Sequence, residues 1–195
     1  MSQVRSREGF LSHALGTANR STVPVSEDAV KKVLPFRGTV LYNGIRKGYT
    51  HMVEMQVAGV TLDEQKHPVV VLKNGNKILP IWIGHAEAFS ISQALQHGEF
   101  ERPLTHDLIC YILEGFHSTV KRVEVYKLEK GTYYACMTLT ETDGAGNERS
   151  IIRIDCRPSD AIAVAVRMAC PVYVAEQVLA EGGHDASLYT DDDSE

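Results

Sequence analysis

Several signatures of familiar protein classes are missing from this chain of 195 residues. No apolar run approaches the roughly 18 residues that a membrane-spanning helix needs, which predicts a soluble protein without membrane contact. The sequence contains no GxSxG elbow, no Walker loop, no HExxH pair and no GxGxxG after a strand. These absences argue against the commonest hydrolase, nucleotide-binding and zinc-protease classes.

A surplus of basic residues is also missing, since the net charge is -5 at pH 7. General nucleic-acid binders usually carry excess Lys and Arg because phosphate neutralisation dominates their affinity. Any nucleic-acid contact must therefore depend on a local basic patch. Hydrophobic residues make up 44% of the chain, which is enough to build a globular core.

Cysteine is scarce, and its four copies form no CxxC pair or zinc-ribbon spacing. Each cysteine lies in or beside an apolar segment, where a free thiol behaves as a small hydrophobic group. We therefore predict buried free thiols in a reducing compartment, and no cysteine nucleophile. The four residues are Cys110, Cys136, Cys156 and Cys170.

Residues 1–50 differ in composition from the rest of the chain. They contain several Arg, Ser and Thr, but only one acidic residue, Glu8, before Glu27. This pattern is compatible with an organelle transit peptide, although we favour a variable N-terminal extension of a cytoplasmic protein. Ser26 followed by acidic residues predicts one short helix that ends before Pro35.

Stronger periodic patterns predict a folded domain over residues 51–181, followed by an acidic tail over 182–195. The predicted strands are 52–60, 68–72, 78–83, 120–128, 132–140, 149–155 and 172–174, and the predicted helices are 85–97, 105–115, 158–169 and 176–180. The turn at Asn74-Gly75-Asn76 makes a hairpin, and the strands between 120 and 155 make an antiparallel meander. A hairpin, a three-strand meander and three main helices indicate an α+β fold.

The first candidate site is the helix start Arg102-Pro-Leu-Thr-His-Asp107. We expect Thr105 to be the N-cap and Asp107 to interact with the positive end of the helix dipole. Asp107 could serve capping alone, and His106 could be an ordinary packed or surface histidine. The predicted apolar stripe of this helix consists of Leu108, Ile109, Ile112 and Leu113, with His106 at its edge.

The second candidate site is the strand-to-helix turn from Asp155 to Asp160. Asp155 ends a strand on its polar face, and Pro158 suits the first helical position. The helix that follows is almost wholly apolar, so the carboxylate of Asp160 requires a partner or a solvent-filled cleft. Either the two carboxylates bind a divalent metal while Arg157 contacts a phosphate, or an internal Asp–Arg ion pair stabilises the turn.

A third candidate lies just after Gly84, where backbone N–H groups at a helix start can meet an anion. His85 and Glu87 occupy this start. Glu87 either completes a carboxylate cluster with the two other sites or simply complements the helix dipole.

Together these segments resemble the bifunctional nuclease family over about residues 52–180. The matching stretches are Ile78-Leu-Pro-Ile-Trp-Ile-Gly84 with Glu87-Ala88, Arg102-Pro-Leu-Thr-His-Asp-Leu108, Gly131-Thr-Tyr-Tyr-Ala135, Ile154-Asp-Cys-Arg-Pro-Ser-Asp-Ala-Ile162 and Pro171-Val-Tyr-Val174. The resemblance implies an α/β roll and nuclease activity on DNA and RNA. The polar motif positions that carry over are Glu87, Arg102, His106, Asp107, Asp155, Arg157 and Asp160.

Our leading hypothesis is a metal-assisted phosphodiesterase that assembles as a homo-oligomer and takes nucleic acid as its substrate. The expected ligands of Mg²⁺ or Mn²⁺ are Asp155, Asp160, Asp107 and Glu87. Arg102 and Arg157 would bind phosphate, and His106 would transfer a proton beside the catalytic carboxylates Asp107, Asp155 and Asp160.

The rival hypothesis is a non-enzymatic regulatory module that binds an anion or another small ligand. In that case the Arg-Pro turns would form internal ion pairs or an anion pocket. Carboxylates that converge on one point would favour the metal, whereas Asp residues that each pair with an Arg would favour the rival.

Overall fold

The computed structural model describes residues 40–42, 51–98, 100–143, 145 and 147–186. The predicted helix after Ser26, the transit-peptide alternative and the acidic residues at 191–195 lie outside these described residues. Within them, no helix has the length and apolarity needed to cross a bilayer.

The described strands and helices follow the predicted order closely. They are β1 (Val40–Tyr42), β2 (Met52–Leu62), β3 (Pro68–Asn74), β4 (Lys77–Trp82), α1 (His85–Leu95), α2 (Thr105–Gly115), β5 (Ser118–Glu129), β6 (Thr132–Thr142), β7 (Glu148–Cys156), α3 (Pro158–Met168), β8 (Val172–Ala175), α4 (Glu176–Gly182) and β9 (His184–Asp185). The predicted α+β class, with its hairpin, its meander and its three main helices, is confirmed.

The strands pair in the order β1-β7-β6-β5-β8-β2-β3-β4-β9. Among the described pairs, β5 and β8 run parallel and the others run antiparallel. Gly75 has a φ of 54° in the two-residue turn between β3 and β4, a conformation that favours glycine. The edge strands β1 and β9 lie outside the predicted domain limits of 51 and 181, so the sheet extends beyond the segment that periodicity indicated.

The core forms where α3 packs on the sheet. Four consecutive residues of α3, from Ala161 to Val164, have no exposed surface, as the apolar sequence of this helix predicted. They pack in one cluster with Val123 and Val125 of β5 and with residues of α1 and α2. The apolar helix is therefore covered by the sheet on one side and by the other two main helices elsewhere.

The predicted apolar stripe of α2 is wrong at two positions. Leu108 and Ile112 are 52% and 49% exposed, whereas His106 and Cys110 are buried. Periodicity could not select the buried face, because apolar residues surround most of this helix. The buried face of α2 is the one that contains His106, whose imidazole has polar partners inside the protein.

A predicted helix cap also differs from the observed one. Leu104, rather than Thr105, is the N-cap of α2, and its N–H donates to Oδ2 of Asp107 at 2.7 Å. At the end of α1, His97 takes a left-handed backbone conformation, with a φ of 52°. The N–H of Gly98 then donates to the carbonyl of Gln93 at 2.9 Å.

The thiols are free, as predicted. Cys110 and Cys136 are buried, and Cys156 and Cys170 are partly buried. Burial raises the pKa of Cys156 to about 12 and that of Cys170 to about 11. These thiols therefore stay protonated near neutral pH, which makes them poor nucleophiles.

An ion pair between Asp107 and Arg167 connects α2 to α3. Nε of Arg167 donates to Oδ1 of Asp107 at 2.6 Å, while Nη1 donates to the carbonyl of Ala163 at 2.9 Å. Partial burial raises the pKa of Asp107, but the hydrogen bonds from Arg167 and from the Leu104 N–H outweigh it and lower this pKa overall. The folded state therefore stabilises the ionised carboxylate.

We predict that Asp107→Asn lowers the free energy of unfolding at neutral pH by about 1–3 kcal/mol, because Arg167 loses its charged acceptor. A lowered carboxyl pKa stabilises the fold fully above the ordinary value of 3.8, and that contribution disappears as pH falls through the folded-state pKa. The deficit of the variant should therefore shrink in acid. Urea denaturation between neutral pH and pH 3 measures it.

The matched control for this prediction is Glu129→Gln, since Glu129 is exposed and pairs with Lys127 on the same strand. We expect little change in stability from this control at any pH. A deficit of Asp107→Asn that is independent of pH would contradict the assignment.

Candidate functional site

The side chains of three elements meet at the start of α3. These elements are the first turns of α1, the first turn of α2, and the turn from β7 into α3. Arg157 is the N-cap of α3 in an extended conformation, and Pro158 takes the first helical position as predicted. The short turn projects the guanidinium of Arg157 across the helix start toward α1.

Arg157 connects two carboxylates that are distant in sequence. Its Nε and Nη2 donate to the two oxygens of Asp160 at 2.7 and 2.9 Å, and Nη2 also donates to Oε1 of Glu87 at 2.7 Å. The hydrogen bonds from Arg157 to Asp160 and Glu87 raise the pKa of this guanidinium above its usual value. Arg157 is thus a permanently charged group, and its side chain is 66% exposed.

Glu87 interacts both with its own helix start and with Arg157. Its own backbone N–H lowers the pKa of Glu87 most, and Arg157 adds to that effect against the opposing influence of burial. The carboxylate lies so close to Gly84 that a Cβ at this glycine would collide with Oε2 of Glu87. A glycine at the N-cap therefore permits Glu87 to interact with the helix start while it binds Arg157.

The buried side of the site contains a histidine held at both ring nitrogens. Nε2 of His106 lies 3.3 Å from Oδ1 of Asp160, and Nδ1 lies 2.9 Å from Oγ of Ser90. An ionised carboxylate only accepts hydrogen bonds, so Nε2 carries a proton and, in the neutral ring, Nδ1 accepts from the serine hydroxyl. Ser90 and His106 are only 4% and 7% exposed.

These contacts form one continuous chain of polar side chains, which we call the Arg157 network. Its members are Glu87, Arg157, Asp160, His106 and Ser90, in order from the exposed end to the buried end. The sequence-based candidates did not include Ser90. Its spacing of three residues from Glu87 on α1 was the available signal, because residues three apart share a helix face.

Asp155 lies away from the Arg157 network. The strand register aligns it with Cys136 of β6 and Glu124 of β5, so these three side chains share one face of the sheet. The neighbouring residue Cys156 belongs to the opposite face, which packs against the core. Asp155 accepts a hydrogen bond from the Tyr126 hydroxyl at 3.2 Å. The structure therefore does not bring Asp155 and Asp160 together.

The other predicted site residues are also separate from the network. Asp107 pairs with Arg167, as described above. Arg102 is exposed and makes no hydrogen bond or ion pair with any described residue. Its guanidinium is available to a ligand, although no contact connects it to Arg157.

The described carboxylates do not form the metal site that the sequence suggested. No group of three His, Cys, Asp or Glu side chains within the described residues is arranged to hold a metal ion. Glu87 and Asp160 both bind Arg157, whereas Mg²⁺ requires several oxygens directed at one point. The geometry supports the ion-pair interpretation of the turn from β7 into α3, with Asp160 as the partner of Arg157.

Comparison with known proteins places this chain in a family. A family model of the bifunctional nuclease domain matches residues 69–187. An uncharacterized protein of Mycobacterium tuberculosis is 38% identical over 135 residues, which cover 68% of this chain and 77% of the relative.

Plant relatives named as nucleases are more distant. Bifunctional nuclease 1 of Oryza sativa subsp. japonica is 27% identical over 124 residues, or 62% of this chain and 37% of the relative. Bifunctional nuclease 1 of Arabidopsis thaliana is 29% identical over 115 residues, or 57% of this chain and 34% of the relative. The chain thus spans only about a third of these plant proteins. The family match covers more than half of this chain, which therefore belongs to the bifunctional nuclease domain family.

Proposed function

We propose that this protein is a nuclease that hydrolyses phosphodiester bonds in DNA or RNA, and that the Arg157 network is its catalytic site. The plant relatives carry the name nuclease, which supports the reaction class. The observation that carries the assignment is an exposed arginine, held rigid by two carboxylates, beside a carboxylate–histidine–serine chain that leads into the protein.

Arg157 supplies the phosphate-binding group. Its Nε and Nη2 are engaged, whereas Nη1 has no hydrogen-bond partner among the described residues. The guanidinium is held in one orientation before the substrate arrives, so little conformational entropy is lost on binding. Arginine matches the oxygens of a phosphate, and its charge stabilises the negative charge that develops during attack.

Asp160 supplies the proton transfer, and His106 positions it. In hydrolysis a water oxygen bonds to phosphorus, the bond from phosphorus to one ester oxygen breaks, and the water loses a proton. Asp160 is 28% exposed and can accept that proton on the open side of the site. Asp160 then passes this proton to the departing oxygen, while the Nε2–H of His106 holds the carboxylate in position and Ser90 keeps the imidazole ring oriented.

The charge of the network explains why further cations are part of the proposal. Two carboxylates and one guanidinium leave a net negative charge when His106 is neutral, and this charge opposes the approach of a phosphate. Arg102 is the additional phosphate ligand that we propose. The requirement for Mg²⁺ or Mn²⁺ stays a prediction, and we assign no step to a metal because the described side chains do not form its site.

A second candidate function is an anion-binding module that does not hydrolyse its ligand. The pairing of two helix-start Asp residues with different arginines favours this candidate: Asp160 binds Arg157 and Asp107 binds Arg167. Both candidates require the exposed guanidinium of Arg157. They differ in whether Asp160 transfers a proton, and cleavage assays separate them.

We predict that Asp160→Asn reduces cleavage of nucleic acid by about 10²–10⁴-fold, because an amide cannot accept the proton of the attacking water. The assay should use single-stranded and duplex DNA and RNA, each with Mg²⁺, with Mn²⁺ and with EDTA. The matched control is Asp155→Asn, the same change on the other face of the sheet, and we expect it to retain activity.

The comparison of the two Asn variants is decisive in both directions. Equal losses would support the shared carboxylate site that the sequence suggested. Undiminished cleavage by Asp160→Asn would remove the network from catalysis, and a wild-type protein that cleaves none of the substrates would favour the binding module.

We predict separately that Arg157→Gln weakens binding of a single-stranded oligonucleotide in EDTA by about tenfold. The loss of one phosphate contact should also reduce the slope of log affinity against log salt by about 1. Fluorescence anisotropy at several salt concentrations measures both quantities. Lys121→Gln is the control, because Lys121 is a half-exposed cation on β5 that pairs with Glu148. Equal effects of the two substitutions would mean that only general charge matters.

A further inference from the structure

The solvent-exposed side of α2 is apolar, and no described residue covers it. Four large side chains of α2 and its C-cap are between 49% and 74% exposed. The residues of this outer face are Leu108, Tyr111, Ile112 and Phe116. Leu108, Ile112 and Phe116 are spaced four residues apart, and Tyr111 lies three residues after Leu108, so the four form a single stripe along the helix.

This stripe contains no charge. The two charged residues of α2, Asp107 and Glu114, lie together on one flank of the helix, and Gly115 lies within the stripe itself. The solvent-facing side of a helix normally carries charged and polar residues. A contiguous exposed apolar patch marks an interaction surface more often than an ordinary solvated face.

We propose that the outer face of α2 binds the same face of a second copy of this protein, forming a dimer with two-fold symmetry. An uncharged surface requires an uncharged partner, and every copy of the chain presents such a surface. Two α2 helices that cross antiparallel at Ile112 would place Leu108 of each copy against Phe116 of the other. A two-fold interface needs this kind of self-complementarity.

The size of the patch fits such an interface. The four side chains expose on the order of 400 Å² in each copy, when a fully exposed aromatic side chain is taken as about 200 Å². Two copies, together with the polar rim around each patch, reach the roughly 1,000 Å² that a specific interface requires. Close approach of the helices is possible at Gly115, because a Cβ added there would meet no described atom within 4 Å.

The proposed interface is separate from the Arg157 network. His106 and Cys110 occupy the buried side of α2, and the outer face lies on the opposite side of the same helix. Association therefore neither requires nor blocks the contacts of Arg157. Failure of the nuclease proposal would leave the dimer proposal intact, and the reverse also holds.

Analytical ultracentrifugation of the full chain over a range of concentrations tests the proposal. We expect a dimer whose dissociation constant rises at least about 30-fold in Leu108→Lys, as for an interface hot spot. The matched control is Leu62→Lys: Leu62 is 58% exposed at the end of β2, and this variant should associate like the wild type. Gly115→Glu is the second variant, since it adds bulk and charge without an internal clash.

Circular dichroism and thermal unfolding must show that both α2 variants remain folded. Dissociation of both variants, with an unaffected Leu62→Lys control, would support the proposal. A wild-type protein that is monomeric at every concentration would overturn it, and would indicate that another segment or another protein covers the face. A dimer that persists in both α2 variants would also overturn it.

Discussion

The burial of α3 is the constraint on which the rest of the structure depends. Residues 161–164 of this helix have no exposed surface, because the sheet lies on one side and α1 and α2 cover the others. A charge near either end of such a helix cannot be fully solvated and requires a partner. Partners for these charges come from α1 and α2. The same ion pairs that form the site therefore also connect the three main helices.

The two ends of α3 meet this requirement in different environments. At the start, Arg157 is 66% exposed and binds Asp160 and Glu87, so the pair faces solvent and any ligand that arrives. Near the end, Arg167 is 10% exposed and binds Asp107, so that pair is enclosed between helices. The pair at the start of α3 remains accessible to a ligand. The enclosed pair near the end of α3 connects this helix to α2.

The helix α2 shows how one polar contact can reverse an apolar pattern. Burial of His106 against Ser90 and Asp160 turns Leu108 and Ile112 outward. The hydrogen bonds compensate the desolvation of the imidazole, whereas Leu108 and Ile112 remain about half exposed. The polar interior and the apolar exterior of this helix are therefore two consequences of the same orientation.

Much of the fold could be predicted because local chemistry determines it. The order of strands and helices, the hairpin turn at Gly75 and the helix start at Pro158 follow from periodicity and backbone preference. The sequence also identified four of the five residues of the Arg157 network by residue type and position at helix starts. Ser90 was not among these candidates, because its contact with a histidine sixteen residues later in the chain depends on how the helices pack.

Only the tertiary structure decided which charges meet. Arg157 and Glu87 are 70 residues apart and His106 and Asp160 are 54 apart, so their contacts depend on how the helices pack rather than on local pattern. Asp155 and Asp160 are close in sequence yet separate in space. Successive residues of a strand alternate between the two faces of the sheet, and Asp155 lies on the face opposite to the one that Cys156 and α3 share. The sequence by itself determined the candidates and the elements that carry them. Packing around α3 determined the pairs, since it brings Glu87 of α1 and His106 of α2 within hydrogen-bond distance of the helix start.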